Sequence, residues 1–516
     1  MDTVDRGRRR LLQGGLALGS ALLWGRPGAA WGQSLLSLPK VALVVGNGRY
    51  KQAPLKNPTN DAGAMGEALK QAGFEVTVTL NAGRNEMLSM LKAHAEALAR
   101  KKGVGLFYFA GHGVQLAWRN FLVPVDAEVE KIGDVETTAV DLGGLVAGLT
   151  AAANPMNVII LDACRDDPFG EGRRPEQKGL SQMDAPPGTL LAYATAPGNV
   201  AADGTGVNGL YTEHLLRELK VPEAKIEDVF KRVRLGVRRK SGGRQIPWES
   251  TSLEEDFYFL PPPHLKKASD DEKEKRYKEE LALWERAHKA MDAARLEEYL
   301  QRYPSGHFAE LAQLQIDRVL AKQGEQKVQA APAEGNPYTK GTAVARTDPK
   351  VGDSYVYREL GLGTQKEQRR FTSAVSRVTD AEIVYSDGLI TDPLGNVRRF
   401  PDGRQLSYNQ NVPVEYVVGK QWVSRFTVAT PRGTNTTELY FKIVTREPVT
   451  VPAGTFNAFR IESHGLSWGV GNMQNQRTVW IAPDKVRRAV AMETLRKTAM
   501  TTLQADRLEL VSYKES

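Results

Sequence analysis

Between residues 40 and 260, apolar runs rich in Val, Ile, Phe and Tyr alternate with segments of helical periodicity. Near-continuous apolar runs are typical of strands buried on both faces of a sheet. Their alternation with helices predicts an α/β domain with a mostly parallel sheet flanked by helices. The predicted strands are VALVVGN (41–47), FEVTVTL (74–80), VGLFYFAGHG (104–113), NVIILDAC (157–164), TLLAYATA (189–196) and a closing FYF (257–259). The predicted helices cover 60–72, 84–101, 140–152, 209–219 and 226–239.

The remainder of the 516-residue chain differs from this region in texture, which predicts further domains. A PPP run closes the α/β domain, whose predicted span is 38–262. Residues 264–323 are interpreted as a charged linker followed by a helical hairpin, and 324–348, rich in Ala, Pro, Glu and Gly, as a second linker. Residues 349–516 alternate apolar and polar side chains between turn signals, which predicts an all-β sandwich or barrel.

The N-terminus has the pattern of an export signal. Arginines at 6 and 8–10 precede an apolar stretch at 11–23 that is too short to span a bilayer. With Arg8 and Arg9 as the pair, the pattern is similar to a twin-arginine signal peptide covering 1–33. We therefore expect a periplasmic or extracellular protein with no transmembrane helix in the mature chain. A disordered basic tail or a retained signal anchor are the alternatives.

Charge and motif content exclude several classes of function. The 69 Lys and Arg residues are interspersed with 61 Asp and Glu residues, so no basic patch for nucleic acid is expected. The chain has no P-loop, and GNG at 46–48 lacks the third glycine of a dinucleotide motif. Its seven histidines are scattered and form no HExxH motif, so no metal or other cofactor is expected. A calcium requirement stays open.

Two residues at predicted strand ends carry the chemistry of a cysteine hydrolase. Cys164 is the only cysteine and cannot form an internal disulfide. It lies at the end of one predicted strand, and His112 lies between Gly111 and Gly113 at the end of another. In open α/β sheets, active sites lie at the carboxyl edge of the strands. An imidazole that takes the thiol proton and later gives it to a leaving amine supplies the needed acid–base chemistry. The backbone N–H groups of Gly113 and Cys164 are candidates for an oxyanion hole. A structural histidine and a buried, inert cysteine are the alternatives.

Five ordered strings carry a family resemblance: VALVVGNGRY, LKNPTNDAGAM, FYFAGHGVQ followed by NFLVPVDA, IILDACRDDPF and GTLLAYATAPGNVAADG. On these strings, residues 40–260 resemble the catalytic domain of bacterial caspase-like peptidases, relatives of metacaspases and paracaspases among the clan CD cysteine peptidases. The resemblance implies a caspase-like fold and endopeptidase activity, with His112 as general base and Cys164 as nucleophile. A catalytically inactive caspase-like scaffold that binds envelope proteins is the alternative.

The resemblance also implies a preference for Arg or Lys before the cleaved bond. Asp162 and Asp203 match positions that form a basic-residue pocket in metacaspase-like relatives, and paired carboxylates suit a guanidinium or ammonium group. Asp162 as a turn cap and Asp203 in an ordinary Asp-Gly turn are the alternatives. Arg165 departs from this pattern, because a guanidinium turned into the pocket would favour acidic residues.

The loop 169–182 is a candidate for self-processing, because caspase relatives are often cut in this position and it contains Arg173, Arg174 and Lys178. A solvated polar loop is the alternative. The expected partners are a peptide or protein substrate and, through the helical and β regions, an envelope protein.

Overall fold

The carboxyl edge of an eight-stranded sheet organises the first part of the molecule. The computed structural model describes residues 35–164, 169, 177–201, 206–262 and 269–516. The elements of this part are β1 (Lys40–Gly46), α1 (Pro58–Gln71), β2 (Glu75–Leu80), α2 (Arg84–Lys101), β3 (Val104–Leu116), β4 (Arg119–Leu122), α3 (Val135–Thr138), β5 (Val140–Asp141), α4 (Leu142–Ala151), β6 (Met156–Cys164), β7 (Thr189–Tyr193), α5 (Leu210–Glu218), α6 (Ile226–Ser241) and β8 (Trp248–Thr251).

The sheet order is β2-β1-β3-β6-β7-β8, with β4 and β5 extending β3 to one side. The first five strands of this path are parallel, and β8 runs antiparallel to β7. The central strands are buried along their length, as their apolar runs predict. The predicted α/β fold is confirmed, with β3 and β6 as neighbours at its centre.

The prediction that FYF closes the sheet is wrong. The edge strand is β8, and residues 257–259 lie outside the named strands. Phe257 and Phe259 instead pack edge-to-face at a centroid distance of 5.4 Å, and both contact Phe74. Their aromatic character therefore serves a hydrophobic cluster rather than a strand.

Three helices follow, where one hairpin is predicted: α7 (Asp270–Ala290), α8 (Ala293–Arg302) and α9 (Ala309–Lys322). The extra length comes from the charged stretch, because Ser269 and Glu272 form a capping box that starts α7 there. Trp284 is fully buried and stacks on Phe308 at 5.7 Å, so an aromatic core joins the helices.

The C-terminal region is a closed antiparallel barrel, which decides between the sandwich and the barrel that the sequence left open. Its strands are β10 (Ser354–Gly361), β11 (Glu367–Val378), β12 (Ile383–Tyr385), β13 (Ile390–Thr391), β14 (Val397–Arg399), β15 (Gln405–Leu406), β17 (Gln421–Thr430), β18 (Gly433–Val451), β19 (Gly454–Trp468), β20 (Met473–Ile481), β21 (Ala491–Lys497) and β22 (Thr502–Lys514). Outside the barrel, β16 (Glu415–Val417) pairs with β9 (Thr342–Val344). Pairing of β10 with β22 closes the barrel.

Residues 328–341, within the predicted second linker, run along the surface of the α/β region and are called the strap. The Ala331 N–H donates to the Pro197 carbonyl at 2.8 Å, and the Asp184 N–H donates to the Tyr338 carbonyl at 3.0 Å. Over the described part of the chain, no helix combines the length and apolar character needed to cross a membrane.

Candidate active site

A local bulge in β3 brings residues 110–113 beside the end of β6. The prediction that this strand ends at Gly113 is wrong, because β3 continues to Leu116 by pairing with β4. Ala110 lies opposite Asp162, whereas Gly113 lies opposite Cys164, so β3 carries one more residue than β6 in this stretch. Bulges re-aim side chains and are common beside active sites. His112 lies within the bulge, next to the residue that pairs with Cys164.

The two glycines that flank His112 are required by close packing. A Cβ at Gly111 would lie 2.5 Å from the Tyr50 hydroxyl, and one at Gly113 would lie 2.4 Å from the Ala163 carbonyl oxygen. Both distances are too short for a side chain, so only glycine lets β3 approach these neighbours. The glycines of the AGHG string are therefore needed for the backbone on either side of His112 to pack against its neighbours.

The His112 imidazole is held by groups from the loop after β1. Its Nε2 lies 2.7 Å from the Ala53 carbonyl oxygen, and its ring lies 4.4 Å from the Tyr50 ring. The Tyr50 hydroxyl accepts from the His112 N–H at 2.9 Å and donates to the Val123 carbonyl at 3.1 Å. Because a carbonyl only accepts, Nε2 is the donor to Ala53, and Nδ1 of the neutral ring can then receive a proton.

Cys164 is the last residue of β6, and its side chain lies outside the described part of the structure. Its backbone is in register with Gly113, the other predicted oxyanion residue. The two predicted N–H donors thus belong to facing residues of neighbouring strands. Their role in binding an oxyanion stays a prediction.

Asp162 lies beneath this edge and is 1 % exposed. Its Oδ2 accepts a hydrogen bond from Thr212 Oγ1 at 2.9 Å, and Thr212 Oγ1 lies 2.6 Å from the Tyr108 hydroxyl. Burial, together with the charges of Asp162 and Asp61, raises the pKa of Tyr108 well above its usual value. The carboxylates of Asp162 and Asp61 therefore both keep the buried Tyr108 hydroxyl protonated.

Asp61 is a residue that sequence reasoning missed. It lies in the first turn of α1 and is fully buried, and its Oδ1 accepts from Asn208 Nδ2 and from the Gly209 N–H, both at 2.9 Å. These contacts attach α1 to the N-terminus of α5, where Gly209 is the N-cap. An acidic residue in a first helical turn is ordinary, so its type and position carried no separate signal.

The remaining predicted positions divide into two groups. Lys178 is exposed, and its carbonyl accepts from Gln115 Nε2 at 2.8 Å. Asp203, Arg165, Arg173 and Arg174 lie outside the described residues, as does the predicted signal peptide. Within the described ranges, no three His, Cys, Asp or Glu side chains are grouped to hold a metal ion.

The parallel sheet with His112 and Cys164 on adjacent central strands defines a caspase-like α/β domain. Residues 39–258 match the family described as the caspase domain and are called the caspase domain. This confirms the fold that the sequence motifs implied.

Two curated proteins are similar to parts of the chain. The mucosa-associated lymphoid tissue lymphoma translocation protein 1 of Homo sapiens is 33% identical over 132 residues, which are 25% of this chain and 15% of that protein. Its homolog in Mus musculus is 28% identical over 227 residues, 43% of this chain and 26% of that protein. The similarity thus spans about a quarter or less of the length of these relatives.

Proposed function

We propose that the protein is an exported cysteine endopeptidase of the caspase type that cleaves after Arg or Lys. The observation that supports it most is His112, held through Nε2 by the Ala53 carbonyl at 2.7 Å, one residue from the partner of Cys164 in the sheet. A histidine oriented in this way presents Nδ1 for proton transfer, which is the task of the general base in a cysteine peptidase.

In the proposed reaction, His112 Nδ1 takes the proton of the Cys164 thiol, and the thiolate attacks the carbonyl carbon of the substrate. The N–H groups of Gly113 and Cys164 stabilise the oxyanion. The C–N bond breaks, and the imidazolium gives its proton to the leaving amine. The acyl group stays on Cys164 as a thioester. Water, deprotonated by His112, attacks this thioester, the C–S bond breaks to release the acid, and the imidazolium returns the proton to the Cys164 sulfur.

The preference for basic residues is supported by the carboxylates beneath the site. Asp162 and Asp61 are both buried, and their charges converge on the Tyr108 hydroxyl. Carboxylates in such a low-dielectric position attract a guanidinium or ammonium group strongly. Asp203 is proposed as a further acid of the same pocket, and cleavage at Arg173, Arg174 or Lys178 as self-processing by the same preference.

The test uses the chain without residues 1–33 and its Cys164→Ala variant, purified under reducing conditions. Both are assayed with fluorogenic peptides that end in Arg, Lys, Asp or Ala, with and without calcium. We expect cleavage of Arg and Lys peptides that is lost in the variant. Cleavage of Asp peptides would overturn the proposed pocket, and no cleavage of any peptide would favour the inactive scaffold.

The pocket is tested separately with Asp162→Asn and Asp203→Asn, and with Asp271→Asn on the exposed start of α7 as the matched control. Each pocket variant should lower kcat/KM for Arg peptides by about tenfold or more, because a charge-assisted hydrogen bond is lost. Equal kinetics for pocket and control variants would remove these residues from the pocket. N-terminal sequencing of exported material tests the signal, since a start at Met1 would contradict export by cleavage.

A further inference from the structure

The barrel encloses a cavity of about 530 Å³, here called the barrel cavity. Sites for small molecules span about 300–1,000 Å³, and large closed barrels commonly enclose a ligand rather than a packed core. The side chains that line the barrel cavity include six arginines and no Asp, Glu or Lys. An interior with one sign of charge indicates an anionic ligand.

The lining changes from polar to apolar with depth. On β20 the inward side chains pass from Asn475 through Arg477 to Val479, and on β18 they pass from Asn435 to Phe441. The polar residues lie at the strand ends that form one rim of the barrel. At this rim Leu503, near the start of β22, is 55% exposed. The barrel cavity therefore has a polar rim at this end and an apolar middle, and Arg346, Arg487 and Arg488 line it toward the opposite end.

Four of the six arginines have partners that account for their charge. Three form ion pairs, and Arg488 lies over the rings of Tyr355, Tyr357 and Tyr385 while donating to Ser373 Oγ at 3.0 Å. The ion pairs are Arg346–Glu515 at 3.0 Å, Arg404–Asp402 at 2.8 Å and Arg487–Asp353 at 3.1 Å.

Arg477 and Arg496, near the rim, are different. The Nε of Arg477 is buried without a hydrogen-bond partner among the described residues, and Arg496 Nε donates only to the neutral Asn475 Oδ1 at 3.2 Å. Asp506 attracts both guanidinium groups, but its Oδ2 accepts from Gln504 Nε2 at 2.6 Å and it forms an ion pair with neither arginine.

The two unpaired arginines also repel each other and a third one. Burial and the nearby charge of Arg496 lower the pKa of Arg477, and burial and the charge of Arg404 lower the pKa of Arg496. A guanidinium stays protonated in proteins, so both side chains keep their positive charge inside the barrel, where Asp506 offsets it only in part. An anion bound here would gain charge-assisted hydrogen bonds from both side chains.

We propose that the barrel cavity binds an anionic amphiphile, a molecule with an apolar chain and one carboxylate or phosphate head. The chain lies in the apolar middle beside Val479 and Phe441, and the head lies between Arg477 and Arg496. This inference is independent of the peptidase proposal, because it concerns no residue of the caspase domain.

Binding is measured on the full chain with a dansyl-labelled undecanoate, whose fluorescence rises in an apolar site. Unlabelled competitors separate the contributions of head and chain: dodecanoate and dodecyl phosphate carry an anion, dodecanol carries no charge, and dodecyltrimethylammonium carries a cation. We expect both anions to displace the probe at concentrations at least about tenfold below dodecanol. The cation should not displace it.

The variants Arg477→Gln and Arg496→Gln should each weaken dodecanoate binding by about tenfold and leave dodecanol unchanged. Arg432→Gln, an exposed arginine in the turn between β17 and β18 at the same end of the barrel, is the matched control. Ser463→Leu places an apolar side chain in the barrel cavity, since Ser463 lines it and its buried Oγ has no partner among the described residues. It should weaken all competitors together.

Near-ultraviolet circular dichroism of each variant verifies that the barrel is folded, and the two arginine variants serve as independent tests if one of them does not fold. The proposal is overturned if the probe does not bind, if dodecanol competes as well as dodecanoate, or if Arg432→Gln weakens dodecanoate as much as the cavity variants do.

Discussion

The carboxyl edge of the caspase domain and the barrel cavity both bury charged or titratable side chains. At the first the buried groups are held by hydrogen bonds, whereas in the second two of them have no ion-pair partner. At the sheet edge, Tyr50 and Ala53 hold His112 in place, and Thr212 donates to Asp162. In the barrel cavity, Arg477 and Arg496 lie side by side without an ion pair. A site for chemistry needs its groups oriented in advance, whereas unmatched charge of one sign in a cavity is characteristic of a site that binds the opposite charge.

Replacing His112 should have the largest effect, and it tests whether the imidazole at the sheet edge is oriented for catalysis. His112→Ala should reduce kcat/KM for the best peptide by about 10²–10⁴-fold, because general acid–base catalysis typically supplies a factor in that range. His464→Ala, an exposed histidine on β19, is the matched control and should retain full activity. Steady-state kinetics decides, and a loss below about tenfold would mean that the orientation of His112 serves stability alone.

The junction between the two regions offers the largest expected effect on stability. Arg234 on α6 binds Glu249 at 2.9 Å and Glu415, beside the barrel, at 3.0 Å. Burial opposes the charged forms, but these partners raise the pKa of Arg234, and Arg234 with Lys327 and Lys420 brings the pKa of Glu415 down to about 2.

Arg234→Met should therefore lower the free energy of unfolding by about 3 kcal/mol, because it leaves two carboxylates without their cation. Urea unfolding measures this, and Arg377→Met on the exposed face of β11 is the control. If the two variants unfold alike, the junction does not join the regions energetically.

A second buried histidine of the caspase domain, His94, differs from His112 in its hydrogen bonding. His94 on α2 is 6 % exposed, its Nε2 has no hydrogen-bond partner among the described residues, and burial lowers its pKa to about 4. The folded state therefore binds a proton less readily than the unfolded state. Above pH 6.5 His94 is neutral in both states and does not affect the free energy of unfolding. As the pH falls from 6.5 toward 4, the unfolded state takes up a proton and the free energy of unfolding decreases.

His94→Leu removes this titration. At pH 5 the variant should be more stable than the native chain by about 2 kcal/mol, and at pH 8 the difference should shrink to the packing change alone. Urea unfolding at both pH values measures it, with exposed His464→Leu as the control. A pH-independent difference would mean that His94 does not titrate differently on folding.

The neighbouring positions of His112 and Cys164 could be predicted because each follows a buried apolar run and glycines flank His112, although β3 continues beyond His112 to Leu116. Tyr50 and Ala53 could not, because the contact that orients the imidazole is a backbone carbonyl, which any residue supplies. Ala53 has a φ of 47°, a left-handed conformation that nothing in its type predicts.

Long-range pairing explains the other differences between the prediction and the structure. Barrel closure depends on Ser354 facing Lys514, a register between the first and last barrel strands that local alternation does not encode. The strap looked like a linker because its Ala, Pro and Gly residues have no periodicity, yet its backbone hydrogen bonds bind it to the loops around β7. In the same way, the charged start of α7 resembles a solvated linker until its capping box is recognised.

Thr212→Val tests how far the buried hydroxyl network supports the pocket. The change keeps the shape but removes the donor to Asp162, so KM for Arg peptides should rise by about tenfold while kcat changes little. The control is Thr434→Val on the exposed start of β18. A fall in kcat with unchanged KM would place this network in the chemical step rather than in binding.

The smallest expected effect concerns the strap. Asn336 is buried, and its Nδ2 donates to the Gln182 carbonyl at 2.8 Å, two residues before the Asp184 N–H that donates to Tyr338. Asn336→Ala removes this hydrogen bond and the one that Asn336 Oδ1 accepts from the Tyr338 N–H at 2.9 Å. It should destabilise the contact by about 1–2 kcal/mol and so speed exchange of the Asp184 amide hydrogen about five- to thirtyfold. Exposed Asn457→Ala is the control. Unchanged exchange would show that the strap is held by its other contacts. A simultaneous change in peptide turnover would mean that the strap acts on the sheet edge, because the loops it binds flank β7, the neighbour of the strand that ends at Cys164.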